Sequence, residues 1–297
     1  MKKISAHWKS STKIALITLV GVTAVWGYTF ISVQDAIAQM PVMDFLAWRF
    51  LLASVVMVAL RPTSLRNVTR LQLLRGVGLG IILGMAYIAQ TYGLRYTSAA
   101  TSGFITGMFV VLTPVMSWIL LRRKTNRNTW MVIALATMGL ALLSLNGWSV
   151  GIGELLTLGC AVFFAIHIIG LGEWSSHYEP YTFSLLQIGA VAVISLIAAI
   201  PRGLAVPPNI GVWRAVAITG VLATAVAFFV QTWALSLVSA TRAAVVMTME
   251  PVFAGLFAVI IGGNLLTLRT IIGAVCILAA MFIINLKSGW SNTQPKT

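Results

Sequence analysis

Glu250-Pro251 stands midway along a long apolar run, and this glutamate has the widest chemical scope in the chain. An ionisable group in lipid is costly, so each one inside a span is a candidate for function. A carboxylate beside a helix irregularity can bind a proton or a cationic group, and Pro251, with no N–H, frees a carbonyl one turn earlier. Pairing with a base such as Arg242 is the packing alternative. His167, between Ile166 and Ile168, can shuttle a proton or be held by one helix–helix hydrogen bond. Arg49 can hold a carboxylate or phosphate with two hydrogen bonds; otherwise it snorkels to headgroups or pairs with Asp44. An offset of 138 residues carries Arg49 onto Gln187 and Thr29 onto His167. Gln90 and Gln231 occupy matching places and either bind a solute or bridge helices. Trp26 and Tyr28 flank Gly27 and are expected to form a cavity wall. The substrate-binding candidates are therefore Trp26, Tyr28, Arg49, Gln90, His167, Gln187, Gln231 and Glu250. Pro114 and Pro251 are the candidate gating positions.

The elements that must position these residues follow from composition. The 297-residue chain is 59% hydrophobic and 9% charged, whereas a soluble domain carries about a quarter charged residues. The reading is an all-α integral membrane protein, because the apolar runs are ~17–25 residues long and lack strand alternation. Ten spans are expected, at about 14–33, 45–60, 76–95, 98–121, 129–145, 153–171, 181–200, 212–237, 239–262 and 268–286.

A stretch occurs twice: Ala86 to Ala99 and Ala227 to Ala240 share six of fourteen residues at an offset of 141. Each leads into a run with Pro-Val, at Pro114 and Pro251. Five spans separate the copies, so the second crosses in the opposite sense. That predicts two inverted five-helix repeats, residues 1–147 and 148–297, as in many secondary transporters. In the first half twelve Lys and Arg residues collect in the tail, the 61–75 loop and the 122–127 loop. Basic loops face the cytoplasm, which places both termini there. The net charge of +14 is thus a topology signal and not a sign of nucleic acid.

These features resemble the EamA type of the drug/metabolite transporter superfamily. The likeness rests on Trp26-Gly27 in the first span, Arg49-Phe50 in the second, and Gln-Thr-x-x-Leu…Ser-Ala…Pro-Val in spans three-four and eight-nine. Gly103-Phe-Ile-Thr-Gly107 and Met249-Glu250-Pro251-Val252 add to it. The resemblance covers nearly the whole chain and implies fold strongly and substrate weakly. Gly263-Asn264 departs from the Gly-Glu often found after the ninth span, and the first span lacks the acid of the smaller multidrug relatives.

The expected function is a secondary transporter moving a small organic solute by alternating access, in the export direction. An amino acid, metabolite or drug is the expected cargo, and the resemblance favours amino acids. An exchanger of phosphorylated or nucleotide-linked solutes is the alternative, and a membrane assembly protein is another. No enzyme is expected, since no acid–base–nucleophile constellation appears. No cofactor or metal site is expected: Cys160 and Cys276 stand apart inside apolar runs. A coupling proton at Glu250 or His167 and a homodimer through spans five and ten complete the expectations. The setting expected is a bacterial inner membrane, with no cleavable leader. The cavity is expected between spans one, three, four, six, eight and nine, with five and ten peripheral. The glycines at 76, 78, 80, 84, 103 and 107 are read as close helix packing.

Overall fold

The computed structural model describes residues 2–97, 99–123, 126–144, 151–260 and 267–286. Ser98, Lys124, Trp148, Gly263-Asn264, Lys287, Trp290 and the boundary near residue 147 lie outside these residues. The described residues form helices and connecting turns, without a strand among them. In lipid a helix satisfies its own backbone polar groups, which is why apolar runs of this length take that form.

The chain opens with α1 (Lys2–Ile37) and α2 (Val42–Leu60), followed by α3 (Arg70–Gly93). Then come α4 (Ala99–Gly107) and α5 (Phe109–Leu121), separated only by Met108, and α6 (Arg127–Ser144). The second half runs α7 (Ile152–Trp174), α8 (Pro180–Ala199), α9 (Ile210–Ala217), a π-helical segment (Ile218–Val226) and α10 (Ala227–Leu235). It ends with α11 (Ala240–Met247), α12 (Met249–Ile260), separated only by Thr248, and α13 (Leu268–Leu286). Among the described residues, seven helical stretches are long and apolar enough to cross a membrane: 12–37, 42–60, 70–93, 101–121, 152–177, 180–202 and 210–235. The runs read as spans five, nine and ten correspond to α6, α11–α12 and α13.

Helix ends are set by local chemistry. Thr69 caps α3 by accepting from the Gln72 N–H at 3.2 Å, and Asn209 caps α9 through Val212 N–H at 3.0 Å. Glu179 caps α8: its carboxylate accepts from the N–H groups of Tyr181 and Thr182, just ahead of Pro180 at the first helical position. Burial opposes its charge. The backbone and hydroxyl donors of Thr182, the Tyr181 N–H and the Arg61 guanidinium outweigh that and hold its pKa below the usual carboxylate value.

Polar contacts gather in two groups. Arg61 pairs with Glu179 at 3.0 Å, Arg123 pairs with Glu173, and Arg75 donates to Tyr178 Oη at 3.0 Å. These join the basic loops of the first half to the turn between α7 and α8. Elsewhere Asp44 accepts from Ala205 N–H at 2.6 Å, Trp48 Nε1 donates to Ala205 O at 2.9 Å, and Asn209 donates to Gln39 at 2.7 Å. That second group joins the turn after α1 to the one before α9.

Small residues let helices cross closely. Gly76, Gly80 and Gly84 lie four apart on one face of α3, and α8 packs there. A Cβ at Gly80 would sit 2.6 Å from both Ala190 Cβ and Gln187 O. Gly78 and Gly103 meet nothing within 4 Å, so the expected packing role does not extend to them. On the flank, Gly139 of α6 faces Gly273 O of α13, 2.7 Å from where its Cβ would stand. The small-residue face of α6 is thereby covered within the chain.

Candidate functional site

A cavity with about 620 Å³ of empty space, part of it open, lies among α1, α2, α3, α4, α5, α7, α10, α11 and α12. α1 contributes Trp26, Thr29, Phe30 and Val33, and α3 with its C-cap Leu94 contributes Tyr87, Gln90, Thr91 and Leu94. Both sets repeat at i, i+3, i+4 and i+7, so each is a single helix face. α10 adds Phe228 and Gln231, and the α11–α12 junction adds Met247 and Glu250. Phe164 and Ile168 come from α7, Thr106 and Phe109 from the α4–α5 junction, and Arg49 from α2.

Arg49 is only 4% exposed. Its Nε donates to Thr224 Oγ1 at 2.9 Å and its Nη2 to Tyr87 Oη at 3.4 Å. The guanidinium also lies 4.7 Å from the Tyr87 ring centroid, a favourable cation–π geometry. The expected alternatives of snorkelling or pairing with Asp44 do not occur: Asp44 is spent on Ala205 N–H. Among the described residues all of Arg49's partners are neutral, so its charge is solvated but not balanced there. Thr224 passes the interaction on by donating to Thr219 O at 2.8 Å, inside the π segment. Trp26 Nε1 fixes the same segment by donating to Ala223 O at 2.8 Å.

Glu250 is the second residue of α12 and lines the cavity. Among the described residues it forms neither an ion pair nor a hydrogen bond, so the packing alternative with Arg242 is absent. Gln90 Nε2 donates to Thr106 Oγ1 at 3.3 Å, and Gln231 Nε2 approaches Met247 Sδ at 3.7 Å. Both contacts span sixteen residues. The 141-residue offset maps Tyr87 onto Phe228, Gln90 onto Gln231, Thr106 onto Met247, and Phe109 onto Glu250. Gln231 Oε1 is buried and has no partner among the described residues.

Three of the residues singled out by sequence lie elsewhere. Tyr28 is 39% exposed and stacks edge-on against Phe257, because two residues on from Trp26 is about 200° round, on the opposite face of the helix. His167 and Gln187 are buried against each other, His167 Nε2 to Gln187 Oε1 at 2.7 Å, and do not line the cavity. The two prolines flank it. Pro114 is inside α5, with Thr113 donating to Phe109 O at 2.7 Å nearby. Pro251 is the third residue of α12, where a missing N–H breaks no intrahelical bond. The local break lies at Thr248, whose N–H reaches Val245 O at 3.2 Å.

Sequence reading missed Thr29, Tyr87, Thr106, Phe109, Phe164, Phe228 and Met247 as cavity walls. The signal was available for the first helix faces: starting from Trp26 and Gln90, helical spacing yields Thr29, Phe30, Tyr87 and Thr91. Thr224 had no such signal, since its place depends on the π segment. A second groove between α3 and α7, lined by Met85, Ile88, Tyr92, Leu155 and Phe163 among others, carries no charged side chain. The polar cavity is therefore the candidate site.

The comparisons with known proteins agree on a class. The model of the EamA-like transporter family matches residues 13–145 and again 151–286. An uncharacterized transporter of Archaeoglobus fulgidus is 32% identical over 268 residues, covering 90% of this chain and 84% of its own. The uncharacterized transporter YoaV of Bacillus subtilis is 22% identical, over 90% of this chain and 95% of its own. A solved crystal structure shares the fold at a TM-score of 0.76 and 17% identity, covering 93% of this chain and 97% of that one. With the family model matched across both halves and several apolar helices able to span, the chain is a multi-pass membrane protein that belongs to the EamA-like transporter family.

Proposed function

We propose that this protein is a secondary carrier that moves a small organic solute, such as an amino acid, metabolite or drug, by alternating access. The observation that carries the reading is the cavity between Arg49 and Glu250, walled by residues from both matched halves. Ten spans in two inverted repeats, residues 1–147 and 148–297, account for the paired helix breaks at Met108 and Thr248 and for the sixteen-residue contacts of Gln90 and Gln231. An odd number of passes between the copies also explains why the α7–α8 turn meets the basic loops. By the positive-inside rule that end faces the cytoplasm, with both termini, in a bacterial inner membrane, and export is the working direction. Exchange of phosphorylated solutes is disfavoured because Arg49 is the one cation among the residues lining the cavity.

The test is flux in proteoliposomes for a panel of amino acids, organic acids and lipophilic cations. Saturable, protein-dependent uptake or counterflow of at least one compound supports the reading. Correctly inserted protein that gives no saturable flux across the panel removes it.

A further inference from the structure

α3 and α7 touch near both ends and leave a groove between them that opens outward, away from the polar cavity. At one end a Cβ on Gly153 would stand 3.1 Å from Gly93 O and 3.0 Å from Tyr96 Cβ, and at the other a Cβ on Gly170 would run into the Leu79 side chain. Met85, Ile88 and Tyr92 of α3 line the groove with Leu155, Gly159 and Phe163 of α7. Each set is spaced three or four residues apart and is one helix face. Gly159 is the notch, since a Cβ there would meet nothing within 4 Å. The groove holds about 1120 Å³ of empty space, much of it open, and no charged side chain lines it. Met85 and Leu155 are 45% and 59% exposed.

The length of the groove points to its occupant. From Ile152 to Phe163 the α7 wall runs ~17 Å, close to half of the ~30 Å hydrocarbon core of a bilayer. α3 begins in the basic 61–75 stretch and ends at Gly93, so the Tyr96 end lies at the opposite surface. The groove therefore runs from that surface to about the midplane, the depth that one acyl chain fills. A spanning helix of a second protein would need about twice that length. The mouth has matching chemistry. Tyr96 lines it and is 62% exposed, a ring suited to headgroup depth. Beside it Arg95 is exposed and makes neither an ion pair nor a hydrogen bond among the described residues. An apolar slot with an unspent guanidinium at its surface end fits a phosphate above a hydrocarbon tail.

We infer that the α3–α7 groove is a binding site for a phospholipid of the leaflet away from the basic loops, with an acyl chain lying over Gly159 and the phosphate at Arg95. The site is separate from the polar cavity and does not depend on the carrier reading. It wedges the two helices whose other faces present Tyr87, Gln90 and Phe164 to that cavity.

The experiment uses the purified full-length protein in detergent and phosphatidylglycerol with a photoreactive diazirine in one acyl chain, and reads the labelled peptides by mass spectrometry. Labelling should concentrate in residues 85–96 and 152–163. It should exceed labelling by a diacylglycerol with the same chains by about threefold to tenfold, and Arg95→Gln should remove that advantage. Gly159→Leu fills the notch and should lower labelling of both peptides about fivefold, with labelling of α13 unchanged. Arg95 is exposed, so its variant keeps the test open where Gly159→Leu fails to fold. Labelling spread evenly over the lipid-facing helices overturns the inference. So does equal labelling by phosphatidylglycerol and the diacylglycerol, or full labelling in folded Gly159→Leu. A dimer that is unlabelled in the groove, and that Gly159→Leu dissociates, gives the groove to a second copy and also overturns it.

Discussion

His167 and Gln187 satisfy each other across α7 and α8, the imidazole Nε2 2.7 Å from the amide oxygen. The Gln187 amide nitrogen donates to Phe183 O at 2.8 Å, so its oxygen faces the ring and Nε2 is the donor. Their counterparts in the first half, Thr29 and Arg49, line the cavity. The same two positions thus hold helices together in one half and face the cavity in the other. His167→Ala is expected to cost about 1–3 kcal/mol of stability by leaving a buried amide oxygen unpaired. Half-saturation for a transported solute should stay within about twofold, since no cavity contact is lost. Thermal unfolding read beside flux kinetics checks both.

The crossing of α3 and α8 has no room at Gly80. Gly80→Ala brings a methyl group to 2.6 Å from Gln187 O and Ala190 Cβ. It is expected to destabilise by about 1–3 kcal/mol. Gly78→Ala meets nothing within 4 Å and is expected to be neutral or to gain up to about 1 kcal/mol of helix propensity. Melting temperatures of the two variants in one detergent make the comparison.

Glu179 gives the α8 cap a pH dependence. Its folded pKa is lowered, so its contribution is present above the usual carboxylate value and fades as pH falls through the lowered one. Arg61 and Glu179 are each about half exposed, so the ion pair itself adds only about 0–1 kcal/mol and weakens in salt. The cap is worth more: Glu179→Ala should cost about 0.5–2 kcal/mol at neutral pH, and much less in acid. Unfolding of the parent and variant across an acid pH series at two salt concentrations separates the cap from the pair.

Trp26 restrains the π segment through one indole hydrogen bond to Ala223 O. Trp26→Phe removes that donor and keeps an aromatic wall. Amide exchange in residues 218–226 should speed up about fivefold to tenfold, the equivalent of roughly 1 kcal/mol, with little change in α6 or α13. Exchange followed by mass spectrometry reads it.

The two groups of polar contacts predict sidedness. With Cys160 and Cys276 replaced, single cysteines at Thr63 and Ser176 should be labelled from one side of the membrane and a cysteine at Pro208 from the other. An impermeant thiol reagent applied to intact cells and to inverted vesicles makes the assignment.

The apolar runs, the Gly76–Gly80–Gly84 face and the pairing of Gln90 with Gln231 were all legible in the sequence. Each depends on local spacing or on repetition. Tyr28 was misplaced because adjacency to Trp26 stood in for helical phase. His167 and Gln187 were misplaced because equivalence by offset does not say which neighbour a side chain meets. For Arg49 the sequence leaves holding a solute and snorkelling both open, because a short distance into a span fits either. Its burial follows from Tyr87 and Thr224, residues 38 and 175 positions away in the chain.

The nine-residue π segment bears on how the eighth span is read. A helical wheel drawn through residues 210–235 with one constant angle assumes a fixed i+4 ladder, and an i+5 ladder advances fewer degrees per residue. Beyond Val226 the wheel has slipped out of phase, so Phe228 and Gln231 point where this longer winding sends them. The compass bearing of the cavity's second glutamine is therefore set upstream, by the backbone that Trp26 and Arg49 hold open.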